Sequence, residues 1–326
     1  MQENNYRWAT LGTGVIANEL AQALQARGQK LYAVANRTYD KGLAFAQKYA
    51  IEKVYTDIDQ VFEDEAVNII YISTPHNTHI DFLRKALRAG KHVLCEKSVT
   101  LNSQELEEAI ALAKEHQVIF AEAMTIFHMP IYRRLAMLQA SGHLGDLKLI
   151  QMNFGSYKDY DMSNRFFNRQ LAGGALLDIG VYALSFVRWF METKDSQISS
   201  QVRLAPSGVD EQAGILLTNP AGQLATITLS LHAKQPKRGL IVFDKGYIEI
   251  YDYPRGQKAV ITYTDDGHQE VIEEGNTLEA LQYEVADMEE AVSGQSNHMF
   301  LEYSQDVMQI MTDLRKDWDL VYPEEE

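Results

Sequence analysis

The chain of 326 residues reads as an α/β protein in two parts: a doubly wound parallel sheet first, then a strand-rich α+β domain. Three observations predict this. A glycine-bearing turn, Leu11-Gly-Thr-Gly-Val-Ile-Ala17, joins an apolar run to a helical one. From Tyr6 to about Ala123 short apolar runs alternate with helical patterns, as parallel strands with crossover helices require. Beyond Leu147, runs of strand character follow one another with few helices between them. The expected domains are 1–123 and 124–326.

Tyr6–Thr10 leads into the glycine turn as the first strand, and Glu19–Ala26 lies in the first helix. A strand-to-helix turn is the context that a dinucleotide (Rossmann) fingerprint needs. In that reading Gly12 makes the tight turn, Gly14 lets the backbone approach a pyrophosphate, and Ala17 lets the helix sit close on the sheet. Thr13, Val15 and Ile16 complete the loop, and the amides of the helix's first turn face the phosphates. A bare turn is the alternative if the motif is taken alone.

Gly28 closes this helix and Tyr32–Ala35 is the second strand. Asn36 and Arg37 follow it, where a ribose-reading acid is expected about 20 residues past the glycines. An acid would accept from both ribose hydroxyls. An arginine pairs instead with a 2′-phosphate, so NADP is expected in preference to NAD, which stays possible. The alternative for Arg37 is a solvated loop charge. Asn68–Thr74 is a central strand that Pro75 stops, and His79–Ala89 is a helix ending at Gly90. His92–Cys95 then delivers Glu96 and Lys97 to the sheet's carboxyl end, where open α/β sheets bind ligands. Asn102 with Glu105 predicts a capped helix running to about His116.

Composition narrows the classes. With 46% hydrophobic residues and 7 Pro the chain can bury a large core. A net charge of -15 speaks against nucleic acid or an anionic membrane as partner. The one cysteine, Cys95, excludes an internal disulfide and reads as a small buried strand residue. The opening Met-Gln-Glu-Asn-Asn lacks the regions of a signal peptide, and no apolar run approaches the roughly 20 residues of a membrane span. A soluble, cytoplasmic protein is expected. His76, His79, His92 and His116 lie close in sequence, but without HExxH or paired-cysteine spacing no metal is expected.

In the second domain Met129–Ala140 reads as a linking helix with Pro130 at its first position. Strands are expected at 147–157, 198–204, 214–218, 224–232, 239–243, 247–251 and 259–263. Alternation such as Ala225-Thr-Ile-Thr-Leu-Ser-Leu231 buries one sheet face and leaves the other for a partner, so a homodimer is expected. Thr277–Ser293 and Met299–Lys316 are closing helices, and Pro323–Glu326 an acidic frayed tail.

Taken together, Gly12-Thr-Gly-Val-Ile-Ala17, Thr74-Pro-His-Asn-Thr-His79, Ala89-Gly-Lys-His-Val-Leu-Cys-Glu-Lys97 and Gly173-Gly-Ala-Leu-Leu-Asp-Ile-Gly-Val-Tyr182 resemble the Gfo/Idh/MocA oxidoreductases. The resemblance implies a second domain on an open, mainly antiparallel sheet. It further implies that Lys97 and the last motif face the nicotinamide, with Thr74, Pro75, His79 and Glu96 around the cofactor. Two positions depart from the family pattern. Its Glu-Lys-Pro reads Glu96-Lys97-Ser98, so the loop loses a fixed φ. Its Asp followed four residues later by His reads Asp178 and Tyr182, closer to the dimeric dihydrodiol dehydrogenase and NADP-dependent xylose dehydrogenase branch, where a tyrosine is the acid/base.

Oxidising a secondary alcohol removes a hydride from carbon and a proton from oxygen, and the protein must handle the proton. Tyr182 is the expected general acid/base; its phenol, with an ordinary pKa of about 10, needs a nearby ammonium such as Lys97 to favour the phenolate. Lys97 would also stabilise alkoxide charge, and Asp178, one helical turn before Tyr182, would orient substrate hydroxyls. Arg165 is a candidate substrate contact, and Tyr157, Tyr160 and Phe167 are aromatics that could stack on a sugar. As plain structure, Lys97 would be a loop lysine, Tyr182 a core tyrosine and Asp178 a helix cap. The expected activity is NADP-linked oxidation or reduction of a sugar, polyol or trans-dihydrodiol. An NAD-linked cyclitol (inositol) dehydrogenase and a non-catalytic NADP-binding sensor are the alternatives.

Overall fold

The computed structural model describes residues 6–326, so the N-terminal pentapeptide that bears on a leader segment lies outside the described residues. Two compact units form: one from residues up to Met124 together with Leu278–Leu301, the other from Thr125–Thr277 with Glu302–Glu326.

In the first unit the order is β1 (Trp8–Leu11), α1 (Val15–Ala26), β2 (Ala33–Ala35), α2 (Tyr39–Tyr49), β3 (Lys53–Val54), α3 (Gln60–Glu63), β4 (Ile69–Ile72), α4 (His79–Arg88), β5 (His92–Glu96), α5 (Ser103–Glu115) and β6 (Phe120–Ala123). The six strands are parallel in the order β3-β2-β1-β4-β5-β6, the arrangement of a doubly wound nucleotide fold. Strands β1, β4 and β6 are buried along their whole length because helices cover both faces. Helix α4 buries Ile80, Leu83, Ala86 and Leu87, one stripe at helical spacing. At the start of α5, Asn102 Oδ1 accepts from the Glu105 amide at 2.9 Å, while Glu105 Oε2 accepts from the Leu101 amide at 2.9 Å. Helix Ala280–Ser293 returns to this unit: the indole of the fully buried Trp8 donates to Glu289 Oε1 at 3.1 Å, and Arg27 pairs with the same carboxylate at 3.2 Å.

The second unit holds α6 (Thr125–His128), α7 (Pro130–Ala140), β7 (Leu147–Gly155), α8 (Val181–Phe190), β8 (Gln197–Leu204), β9 (Asp210–Thr218), β10 (Leu224–Ser230), β11 (Gln235–Phe243), β12 (Gly246–Tyr251), β13 (Lys258–Tyr263) and β14 (Gln269–Glu273). The returning helix Ala280–Ser293 is α9, and α10 (Leu301–Asp317) completes the second unit. Its eight strands run β14-β13-β12-β11-β7-β10-β9-β8, antiparallel except for β7 beside β10. Strand β14 carries little alternation and is absent from the sequence-based expectation. Cross-strand neighbours Ile215, Ile227 and Met152 share the buried face, where Gly239 leaves room for the ring of Phe186 on α8.

Two expectations need correction. The stretch Arg169–Phe190 is long and apolar enough to cross a membrane by length and composition, contrary to the reading that no run approaches that length; it is mostly buried inside the unit, as a core helix is. Nor does the acidic end fray. Pro323–Glu325 is a 3₁₀ turn, Glu325 binds the buried Arg315 guanidinium at 2.7 and 2.8 Å, and the fully buried Tyr322 donates to Gly173 O at 2.7 Å. A charge pair taken largely out of water holds this tail, which the acidic composition alone could not reveal.

Asp210 gives a pH prediction. Its carboxyl is fully buried and Oδ2 accepts from the Leu176 amide at 2.6 Å. Burial, the largest influence, pushes its pKa up to about 7, against hydrogen bonds that favour the ionised form. The folded state therefore keeps a proton that the unfolded chain has released. This group's contribution is lost as pH rises from about 4 to about 7, by a few kcal/mol in all. Urea unfolding of wild type and Asp210→Asn at pH 5 and pH 8 should show a steeper loss in wild type; parallel losses would contradict the assignment.

Candidate active site

At the end of β1 the chain must reverse into α1 against β4, and Gly12 does so at φ +101°. A Cβ there would lie 3.0 Å from both the carbonyl and the hydroxyl of Ser73. Gly14 faces nothing within 4 Å where its Cβ would point, so the turn's outer side is open. Val15 is 80% exposed, Ile16 is half-buried and Ala17 is fully buried beneath them. This open backbone at a helix N-terminus fits the pyrophosphate of a dinucleotide. Thr13 donates to Asn36 Oδ1 at 3.4 Å and Asn36 Nδ2 donates to Thr38 O at 2.8 Å, which ties the end of β2 to the turn. Arg37 beside it is exposed, and among the described residues no carboxylate forms an ion pair with it. Its guanidinium is available to a phosphate.

The ends of β4 and β5 carry the next group. Thr74 is half-buried and accepts from the Thr78 hydroxyl at 2.8 Å, and Pro75 is exposed. Glu96 Oε1 accepts from the buried Tyr71 hydroxyl, and Oε2 accepts from the Lys97 amide at 3.3 Å. Lys97 is half-buried, the Lys97–Ser98 peptide is cis, and Ser98 and Val99 are buried. His79, expected around the cofactor, is fully buried with its ring nitrogens against the carbonyls of Thr74, Ser98 and Val99. In the structure its polar edge meets these backbone carbonyls, which tie the end of β4 to the loop after Lys97.

In the second unit Gly174 sits at φ +127°, and a Cβ there would lie 2.1 Å from Asp210 Oδ1. After this turn Leu176–Gly180 forms a single π-helical turn that passes into α8. Asp178 and Tyr182 are thus separated by π rather than α geometry, which still keeps them near one face. Asp178 is nearly buried, and one of its oxygens lies 3.6 Å from Arg165, an exposed loop residue whose guanidinium also lies over Phe166 at 4.1 Å. Tyr182 is half-buried with its ring 6.1 Å from that of Phe154, over which Lys237 sits at 5.2 Å. The structure thereby brings Arg165 to Asp178, and adds Phe154 and Lys237, which no local pattern marks.

Of the candidate stacking aromatics, Phe167 is core. Tyr160 stacks on His232 at 4.1 Å and donates to the buried Glu211 at 2.6 Å, and Tyr157 remains 59% exposed. Among the described residues the one cluster with metal-ligand geometry is Asp265, Asp266 and His268, all exposed. His92 accepts from the Ile119 amide at 2.9 Å, and burial pushes the Cys95 thiol pKa well up, as for an inert core thiol.

An open glycine turn on a doubly wound sheet, with a lysine at the carboxyl end of a neighbouring strand, defines a nucleotide-dependent oxidoreductase. Residues 6–124 match the model of an oxidoreductase family with an NAD-binding Rossmann fold, and residues 132–249 match the GFO/IDH/MocA C-terminal domain. The chain belongs to the GFO/IDH/MocA oxidoreductase family. It is 32% identical over 259 residues to the trans-1,2-dihydrobenzene-1,2-diol dehydrogenase of Xenopus laevis, covering 78% of both chains. It is also 32% identical to the human enzyme of that name over 248 residues, covering 75% of this chain and 74% of the other. In fold it resembles KijD10, a 3-ketoreductase from Actinomadura kijaniata solved with NADP and TDP-benzene (TM-score 0.86, 24% identity, 96% and 98% of the two chains). It likewise resembles an aldose-aldose oxidoreductase from Caulobacter crescentus (TM-score 0.85, 22% identity, 97% and 98%).

Proposed function

We propose that this enzyme uses NADP to oxidise a hydroxyl, or reduce the corresponding carbonyl, of a sugar, polyol or trans-dihydrodiol. The observation that carries the reading is the half-buried Tyr182 one π-turn after Asp178, whose carboxylate is met by Arg165. A phenol there suits proton transfer, and a carboxylate with a guanidinium suits the holding of neighbouring hydroxyls.

Gly12, Thr13, Gly14, Val15 and Ile16 would hold the pyrophosphate, Asn36 and Arg37 the ribose end, and Thr74, Pro75, Glu96 and Lys97 the nicotinamide end. When bound, the nicotinamide supplies the two-electron hydride chemistry. In the oxidative direction the Tyr182 phenolate takes the substrate's hydroxyl proton, Lys97 stabilises the developing alkoxide and favours the phenolate, and Asp178 and Arg165 orient the substrate. The names of the Xenopus and human relatives support a diol substrate, and the NADP complex of the 3-ketoreductase supports the cofactor.

The test is cofactor reduction on aldoses, cyclitols and trans-dihydrodiols, with NADP and NAD, for wild type and Arg37→Asp. Turnover with one class and NADP is expected. Arg37→Asp should weaken NADPH binding at least about tenfold while NADH binding barely changes. Equal losses would sink the NADP assignment, and turnover of none of the three classes would sink the substrate class.

A homodimer is proposed through the sheet face that the buried row turns away from. Leu216 on β9, Tyr251 on β12 and Val271 on β14 are 41%, 56% and 52% exposed, a scale of apolar exposure suited to burial by a second copy. Light scattering should give twice the chain mass, and a monomer would rule this out.

A further inference from the structure

His79 sits in the first turn of α4, fully buried, and its imidazole bridges the segments that leave the paired strands β4 and β5. Nε2 lies 2.9 Å from Thr74 O, at the end of β4. Nδ1 lies 3.0 Å from Ser98 O and 3.3 Å from Val99 O, in the loop that follows Lys97. From the turn before α4, His76 Nε2 lies 3.0 Å from the carbonyl of Lys97 itself, and the two imidazoles meet edge to face at 5.8 Å. Carbonyl oxygens only accept hydrogen bonds, so the His79 N–H donates to one side of this bridge, the side being set by the tautomer, while the other ring nitrogen packs against the carbonyl opposite.

Other groups on this loop complete the grip. Val99 N donates to the buried Glu122 Oε1 at 3.1 Å, Cys95 Sγ donates to Val99 O at 3.8 Å, and Glu96 holds the Lys97 amide. Burial, the largest influence, holds the His79 pKa below its ordinary value, the charge of Lys97 acts in the same direction, and the three carbonyls offset them only in part, so the ring favours its neutral form.

We propose that His79 is a clamp, assisted by His76, that positions Lys97 without touching substrate or cofactor. The inference rests on the assignment of Lys97 to the reaction in the preceding section. Rigid placement matters because an ammonium that drifts by about 1 Å from a reacting oxygen loses on the order of a hundredfold in rate. The clamp supplies at the backbone of Lys97–Val99 part of the constraint that a proline after the lysine would supply covalently.

Two measurements test this. The first needs no turnover: in the full-length protein the backbone amides of Ser98 and Val99 should exchange hydrogen at least about tenfold faster in His79→Leu than in wild type. Unchanged exchange at both amides would overturn the bridge. In the second, His79→Leu should lower kcat about a hundredfold, with KM and the NADPH dissociation constant within about twofold of wild type. His79→Asn, which keeps a donor near the Nδ1 position, should recover most of that loss. A folded His79→Leu enzyme with wild-type kcat, equal kcat in the Leu and Asn variants, or a loss confined to KM would each refute the positioning role. Should wild type turn over nothing, the functional reading fails while the amide exchange still decides the clamp.

Discussion

Lys97→Met is expected to reduce kcat by about a thousandfold while NADPH still binds. Methionine preserves an unbranched apolar stem and removes the ammonium alone. The loop itself is held through backbone groups: the Lys97 amide on Glu96, its carbonyl on His76, and the next two carbonyls on His79. None of these contacts uses the lysine side chain, and all of them can remain in the variant. The backbone from Gly12 to Ile16, proposed to hold the pyrophosphate, lies on a different loop and is untouched. Fluorescence titration with NADPH should give a dissociation constant near that of wild type, and steady-state assays should show the loss in kcat. Normal turnover in the variant would end the case for Lys97.

Tyr182→Phe should cost between about a hundredfold and a thousandfold in kcat without a comparable loss of stability. The substitution removes one hydroxyl and leaves the ring, whose neighbour Phe154 lies 6.1 Å away, in place. Oxidation needs the phenolate, so wild-type kcat should rise with pH as Tyr182 deprotonates; reduction needs the phenol and should fall over the same range. The variant should lose that limb in both directions. A variant that keeps both its rate and its pH profile would move the acid/base role to another group and reduce Tyr182 to packing.

Much of the first unit was legible because its signals are local. The Asn102 and Glu105 cap lies within one helical turn, the stripe Ile80, Leu83, Ala86 and Leu87 repeats at the helical period, and Gly12 is demanded by a turn that no side chain could make. The strands of the second unit were read from alternation, except β14, where a short polar run offers none. At the site, residue identities could be read but not their company. Nothing near Asp178 in sequence announces Arg165, or that Leu176 at the start of the π-turn is held by Asp210, 34 residues further on.

The sequence by itself determined the parallel sheet, the glycine turn, the absence of an acid after β2 and the residue types at 97, 178 and 182. Each of these depends on spacing within a few residues or on chemistry carried by one side chain. Only the tertiary structure decided that His79 meets backbone carbonyls, that the acidic C-terminal segment is pinned by Arg315 and Gly173, and that helix Ala280–Ser293 returns to Trp8. Those outcomes require buried polar groups far apart in the chain to find partners. Sheet order and register bring those partners together, and no local pattern encodes which distant donor meets which acceptor.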